Sequence, residues 1–181
     1  MSEASYRTFV VYVEDKPGVL NRVASLFRRR NFNIHSLNVG NTNEAGVSRM
    51  TIVIESDVDK AKRIESNLYK LVNVLWVDDI TDLATIDIAL ALIKVTARPE
   101  RRTELLQVAS VFNARTVDMS LDTMTFEITD SQTRIDAFLA VLKPFGVEEM
   151  VQTGTVSMMR GSVAPRPGHP TVNARPVVAA E

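Results

Sequence analysis

Residues 14–38 read EDKPGVLNRVASLFRRRNFNIHSLN: a turn, an amphipathic helix and the opening of a strand, with almost no chain between them. Proline presets φ and glycine accepts a left-handed backbone, so Pro17-Gly18 makes a tight turn at the helix start. From there Leu20, Val23, Ala24 and Phe27 recur at i, i+3, i+4, i+7, with Val19 and Leu26 widening the apolar stripe. Asn21, Arg22, Ser25, Arg28 and Arg29 fall on the opposite side. Asn31 marks the helix end, and a strand begins near Asn33. In that strand Phe32 and Ile34 share one phase while Leu37 and Val39 share the other, which predicts a β-bulge around His35-Ser36.

Working outward, Thr8 to Val13 (TFVVYV) is continuously apolar and β-rich, as a strand buried on both faces must be. Asn41 to Gly46 reads as a turn. Arg49 to Ile54 alternates Met50, Ile52 and Ile54 against Arg49, Thr51 and Val53. Asp57 or Asp59 caps a second helix with Ala61, Ile64, Leu68 and Leu71 on one face, and Val74 to Val77 returns as a strand. The order is β-α-β-β-α-β. The second half repeats the pattern without obvious residue identity. Ile86 to Ala97 is a long strand, and Pro99 suits the start of a helix lined by Leu105, Val108, Ala109 and Phe112. Val117, Met119 and Leu121 alternate into a turn at Asp122-Thr123, and Met124, Phe126 and Ile128 alternate back. Ile135, Phe138, Leu139 and Leu142 give a fourth helix, and Val147 to Met159 closes the unit. The expectation is an α+β chain of two ferredoxin-like βαββαβ units, 6–82 and 83–161. The segment 162–181 holds four of the seven prolines and no period, so it is expected to be a disordered tail.

Composition narrows the function. A chain of 45% apolar and 24% charged residues is an ordinary globular protein, and a formal net charge of -1 gives no basic field for nucleic acid or an anionic membrane. With no cysteine there are no disulfides, thiolate nucleophiles or zinc–thiolate sites. The start MSEASYR lacks the apolar core of a signal peptide, and the run Ile88 to Ile93 is too short for a membrane helix. A cytoplasmic protein is expected. His35 and His169 are the only histidines, one in the bulge and one in the tail, so neither a histidine metal site nor a catalytic triad is expected. Asp78, Asp79 and Asp82 read as a solvated strand end, and Arg28-Arg29-Arg30 as a solvated helix end. The ferredoxin-like sheet would suit RNA recognition only with aromatics on its central strands. Arg49 to Ile54 has none, and Phe9 and Tyr12 are all the first strand offers.

What remains is a binding turn. Backbone N–H groups and the positive end of the helix dipole converge after Gly18, which suits a small carboxylate. Asp15 and the Asn33 side chain, expected across the turn, can add polar contacts, and Leu20 and Ile34 an apolar niche. A free amino acid needs those three features, and a plain structural turn is the competing reading.

The stretch DKPGVLNRVASLF resembles the ACT domain, a ferredoxin-like module that binds amino acids at domain interfaces. RVASLFRRRNFNIHSLNVGNTNEAGVSRMTIVI, KLVNVLWV and DAFLAVLKPFGVEEMVQTGTVSMMRG are similar to the small regulatory subunits of acetolactate synthase, so the resemblance covers roughly 6–161. It implies an ACT domain over 6–82 and a C-terminal regulatory domain over 83–161. The implied protein is non-catalytic, has no cofactor or metal of its own, and forms a homodimer. It would bind valine or another branched-chain amino acid between two copies, and would activate and feedback-regulate a catalytic large subunit. That partner would carry thiamine diphosphate, magnesium and FAD. Carried over by position, the effector residues are Asp15, Lys16, Pro17, Gly18, Val19 and Leu20, with Asn33, Ile34 and His35 facing them, from the other copy if need be. Many relatives have asparagine where Asp15 stands, and an added negative charge there disfavours a carboxylate ligand unless Lys16 offsets it. Other readings are a stand-alone amino-acid-binding ACT module with a different partner, a DNA-binding regulator without a visible helix-turn-helix, a small enzyme without paired titratable groups, and a structural dimerisation module.

Overall fold

The computed structural model describes residues 5–161, so the predicted tail lies outside the described residues. Two compact units divide at 85/86, with the final described residues 159–161 grouped with the first. In the first unit the elements are β1 (Ser5–Glu14), α1 (Val19–Arg29), β2 (Ile34–Asn41), β3 (Val47–Ser56), α2 (Val58–Leu68) and β4 (Val74–Asp79). The sheet is antiparallel with order β2-β3-β1-β4, so β1 and β3 are central and β2 is an edge.

Period explains the core. Alternate residues of the central strands, Phe9, Val11 and Val13 with Met50, Ile52 and Ile54, meet Val23 and Phe27 of α1 and Ala61, Ile64 and Leu68 of α2. Each large apolar side chain so buried contributes about 1.5–3 kcal/mol. Helix α1 buries Val19, Val23, Leu26 and Phe27. Leu20, assigned to the stripe from its spacing, is 44% exposed beside the turn. Asn31 adopts φ 58 just after the helix, the left-handed geometry that ends it, and Asn113 (φ 55) plays the same part after the first helix of the second unit. The β2 register shifts between Ile34 and Ser36, so His35 is the bulged residue. Asp57 caps α2: its carboxylate accepts the Lys60 N–H at 2.8 Å, and that bond holds the carboxyl below its ordinary range.

The second unit contains β5 (Thr85–Thr96), α3 (Arg102–Val111), β6 (Arg115–Met119), β7 (Thr123–Asp130), α4 (Gln132–Leu142), β8 (Val147–Gln152) and β9 (Val156–Met159). Its sheet runs β6-β7-β5-β8, and β9 also pairs with β5. The expected closing strand is thus broken in two. Bonds from Thr153 N–H to Leu90 C=O and from Arg160 N–H to Ala84 C=O keep both pieces along the long β5. Pro99 opens a 3₁₀ turn, Pro99–Arg101, before α3 begins. Ala91, Ile93 and Val95 with Met124, Phe126 and Ile128 pack on Leu105, Ala109, Ile135, Phe138 and Leu142. The outward hairpin strand departs from expectation. A register shift between Thr116 and Asp118 leaves Val117, Met119 and Leu121 exposed instead of in the core.

Of the acidic strand end only Asp82 is solvated, its side chain 84% exposed. Asp79 accepts from the Arg7 Nε at 2.9 Å, Arg7 is 8% exposed, and Asp78 is 5% exposed. Phe9 is fully buried, which removes it as a base-stacking surface.

Candidate effector site

Two backbone bonds fix the turn between β1 and α1. Glu14 N–H donates to Asn73 C=O at 2.9 Å, and Asp15 N–H donates to Gly46 C=O at 2.8 Å. Gly18 then turns the chain with φ 82 and ψ -3 and serves as the N-cap of α1 without any side-chain cap. A Cβ built on Gly18 would meet nothing within 4 Å, so the turn needs glycine for its backbone angle and not for space. The first helical bond runs from Arg22 N–H to Gly18 C=O. Among the described residues the N–H groups of Gly18, Leu20 and Asn21 therefore have no partner. The first turn carries no acidic residue. An uncapped helix start with open donors has the geometry and dipole to receive an anion.

The charges around it are arranged by a residue that the sequence did not single out. The Asn73 amide donates to a Glu14 carboxylate oxygen and accepts from Arg22 Nη1 at 2.7 Å, tying the end of β1 to the first turn of α1. That amide, and then Lys16, hold the Glu14 carboxyl below its ordinary range. Lys16 Nζ stands 3.1 Å from Glu14 Oε2. The lysine is thus occupied with Glu14, while the exposed Asp15 side chain has no hydrogen bond or ion pair among the described residues. Lone asparagines and glutamates such as these carry no sequence signature. Their pairing spans 59 positions and only the fold reveals it.

The strand half of the expected site lies elsewhere in the chain. Ile34 pairs with Ile54, which pairs with Arg7 near the start of β1, whereas the turn follows Glu14 at the other end of β1. Seven strand residues at ~3.3 Å each separate the two levels by about 23 Å. Asp15 to Leu20 are brought together at one end of the sheet, and Asn33, Ile34 and His35 at the other. Asn33 is not across the turn within one copy. His35 is exposed and its ring lies 4.6 Å from that of Tyr6.

No group of three or more metal-ligating side chains occurs among the described residues, and no helix among them is long and apolar enough to cross a membrane.

Comparison with known proteins agrees with this architecture. The family model described as AHAS small subunit-like ACT domain matches residues 9–76, which makes the first unit an ACT domain. The model described as the small subunit of acetolactate synthase matches residues 89–161. The chain is 46% identical over 154 residues to the acetolactate synthase small subunit of Mycobacterium leprae, covering 85% of this chain and 91% of that one. It is 43% identical over 154 residues to that of Mycolicibacterium smegmatis, with 85% and 91% covered. The crystal structure of the acetolactate synthase small subunit from Thermotoga maritima superimposes with a TM-score of 0.81 at 34% identity, covering 88% of this chain and 99% of that one. This chain belongs to the family of acetolactate synthase small subunits.

Proposed function

We propose that the chain is the cytoplasmic regulatory subunit of acetolactate synthase. It raises the activity of a catalytic large subunit, the bearer of thiamine diphosphate, magnesium and FAD, and makes it answer to valine or another branched-chain amino acid. The observation that carries the effector half is the uncapped start of α1, where the N–H groups of Gly18, Leu20 and Asn21 are open to a carboxylate. On this reading residues 6–82 bind the effector and dimerise, and 83–161 form the C-terminal regulatory domain.

The complementary residues come from a second copy. Strand β2 is a sheet edge, and edges pair readily with a copy of themselves about a two-fold axis. Antiparallel pairing of two β2 strands sets the Ile34 end of one against the Gly40 end of the other. The Gly40 end lies on the side of Gly46, which anchors Asp15. Two such pairings close two sites per dimer, each with a Gly18 turn from one copy and Asn33, Ile34 and His35 from its mate. The carboxylate takes the turn's N–H donors, the ammonium faces Asp15 and Asn33, and Leu20 with Ile34 bounds the side chain. Leu20 being exposed beside the turn fits that use.

The test is acetolactate formation by the cognate catalytic subunit, with and without this chain, across a valine titration. Activation that valine reverses is the expected result. Activation without any response to a branched-chain amino acid retains the partner and removes the effector site, with the unpaired Asp15 the first suspect. No effect on the catalytic subunit overturns the proposal.

A further inference from the structure

A concavity lies at the other end of α1, away from the Gly18 turn. An open cleft of about 880 Å³ is bounded by the end of α1, the turn at 31–33 and one side of α2. Its charged lining is Arg30, Lys60, Lys62, Arg63 and Lys70 against the single acid Glu55. Lys60 is neutralised by Asp57 at 3.0 Å. The other four cations have no carboxylate within 4 Å among the described residues.

The cations are also organised. Asn67 donates its Nδ2 to the Arg63 C=O at 2.6 Å, which sets the amide, and its Oδ1 accepts from Arg30 Nη2 at 3.1 Å and Lys70 Nζ at 3.2 Å. Two positive heads are therefore gathered within about 6 Å of each other on one neutral oxygen. Like charges at that spacing repel unless an anion joins them. Arg30 comes from the end of α1 while Asn67 and Lys70 come from the end of α2 and the residues after it, so the tertiary fold, and not one helix face, builds the pair.

We propose that this cleft is a second ligand site, for a small anion with two or more adjacent phosphoryl groups. Its size lies within the range of small-molecule sites. Arg30 and Lys70 each face one phosphoryl group, and Lys62 and Arg63 add charge at the rim. The net charge of -1 for the whole chain argues against a long polyanion, which needs a basic field beyond one cleft. Of the amino-acid site residues only Asn33 borders the cleft, and the proposal does not depend on valine binding.

Calorimetric titration of the full chain with inorganic pyrophosphate tests it, with inorganic sulfate and a short oligoglutamate as parallel probes. Pyrophosphate is expected to saturate one site per chain, more tightly than sulfate and more weakly as salt is raised. The double variant Arg30→Gln/Lys70→Gln should weaken binding about tenfold or more while leaving the thermal unfolding midpoint within a few degrees of wild type. Asn67→Ala, which keeps both charges and releases their common anchor, should weaken it less. No saturable pyrophosphate binding, or equal binding by the folded double variant, overturns the proposal. Preference for oligoglutamate overturns it in favour of a protein-docking surface.

Discussion

Gly18→Asp separates the effector reading from a merely structural turn. Gly18 has φ 82, and its missing Cβ would meet nothing within 4 Å, so the substitution brings strain without a clash. A left-handed residue costs about 1–2 kcal/mol, and less for Asn or Asp, whose short polar side chains tolerate that region. Against a domain stability of about 5–15 kcal/mol the protein stays folded, with its midpoint lowered by about 4–8 °C per kcal/mol. The new carboxylate stands among the open N–H groups of the helix start. A ligand carboxylate about 4 Å away would meet repulsion of about 4 kcal/mol at the effective dielectric of a protein surface. Lys16, paired with Glu14, cannot offset it without giving up that contact. Such an energy weakens ligand binding by about three orders of magnitude. Gly18→Asn is the control, with the same size and backbone strain but no charge. In the reconstituted enzyme, Gly18→Asp should activate the catalytic subunit fully and lose the valine response, while Gly18→Asn should keep a weakened response. A wild-type valine response in Gly18→Asp refutes the site, and equal loss in both variants refutes the electrostatic reasoning.

Other outcomes follow from the packing and the charges. Gly146 has φ 93, and an added Cβ would lie 3.1 Å from Thr96 Oγ1, so Gly146→Ala should lower the unfolding midpoint more than Gly18→Ala does. Part of that loss should return in the double variant with Thr96→Ala, because the two side chains are in contact. Phe126 is fully buried with its ring 6.0 Å from that of Phe138, and Phe126→Ala should cost about 3–5 kcal/mol by urea unfolding. Leu121→Ser, at 83% exposure, should be nearly silent. Asn73→Ala should raise the valine concentration needed for inhibition without altering activation, since Asn73 joins Glu14 to Arg22 and so steadies the turn. The Glu14 carboxyl sits below its ordinary value of 4.5 because of Asn73 and then Lys16. Its support of the turn is therefore complete above that pH and fades as pH falls through the lowered value. Amide exchange at Glu14, Asp15 and Lys16, whose N–H groups are bonded in the turn, should show protection lost in that acid window, and at lower pH in wild type than in Asn73→Ala.

Much of the fold is legible because it is written in short periods. The alternation of Met50, Ile52 and Ile54 and the helical spacing of Ile135, Phe138 and Leu142 each report a buried face from local sequence alone. The phase change at His35 does the same for the bulge. The failures are non-local. Leu20 shares the α1 stripe by spacing, yet it lies beyond the edge of the core, where only the path of the turn decides exposure. Val117 and Met119 alternate correctly, but a bulge on an edge strand takes them off the packed face. Asp79 looks solvated until Arg7, 72 positions away, folds against it.

Asn33 is the most instructive case, because proximity in sequence suggested proximity in space. The turn at Gly18 and the strand start at Asn33 are joined by one short helix, yet α1 runs the length of the sheet and holds them at opposite ends. If both serve one ligand, the site does not exist in a single copy, and completing it and pairing the copies become one equilibrium. Effector binding must then strengthen dimerisation by the same factor by which dimerisation strengthens effector binding. On that reading the coupling would give an amino acid leverage over the catalytic subunit without deforming either fold. The ligand need only select the pairing geometry of two β2 edges, and whatever surface contacts the catalytic subunit inherits the change.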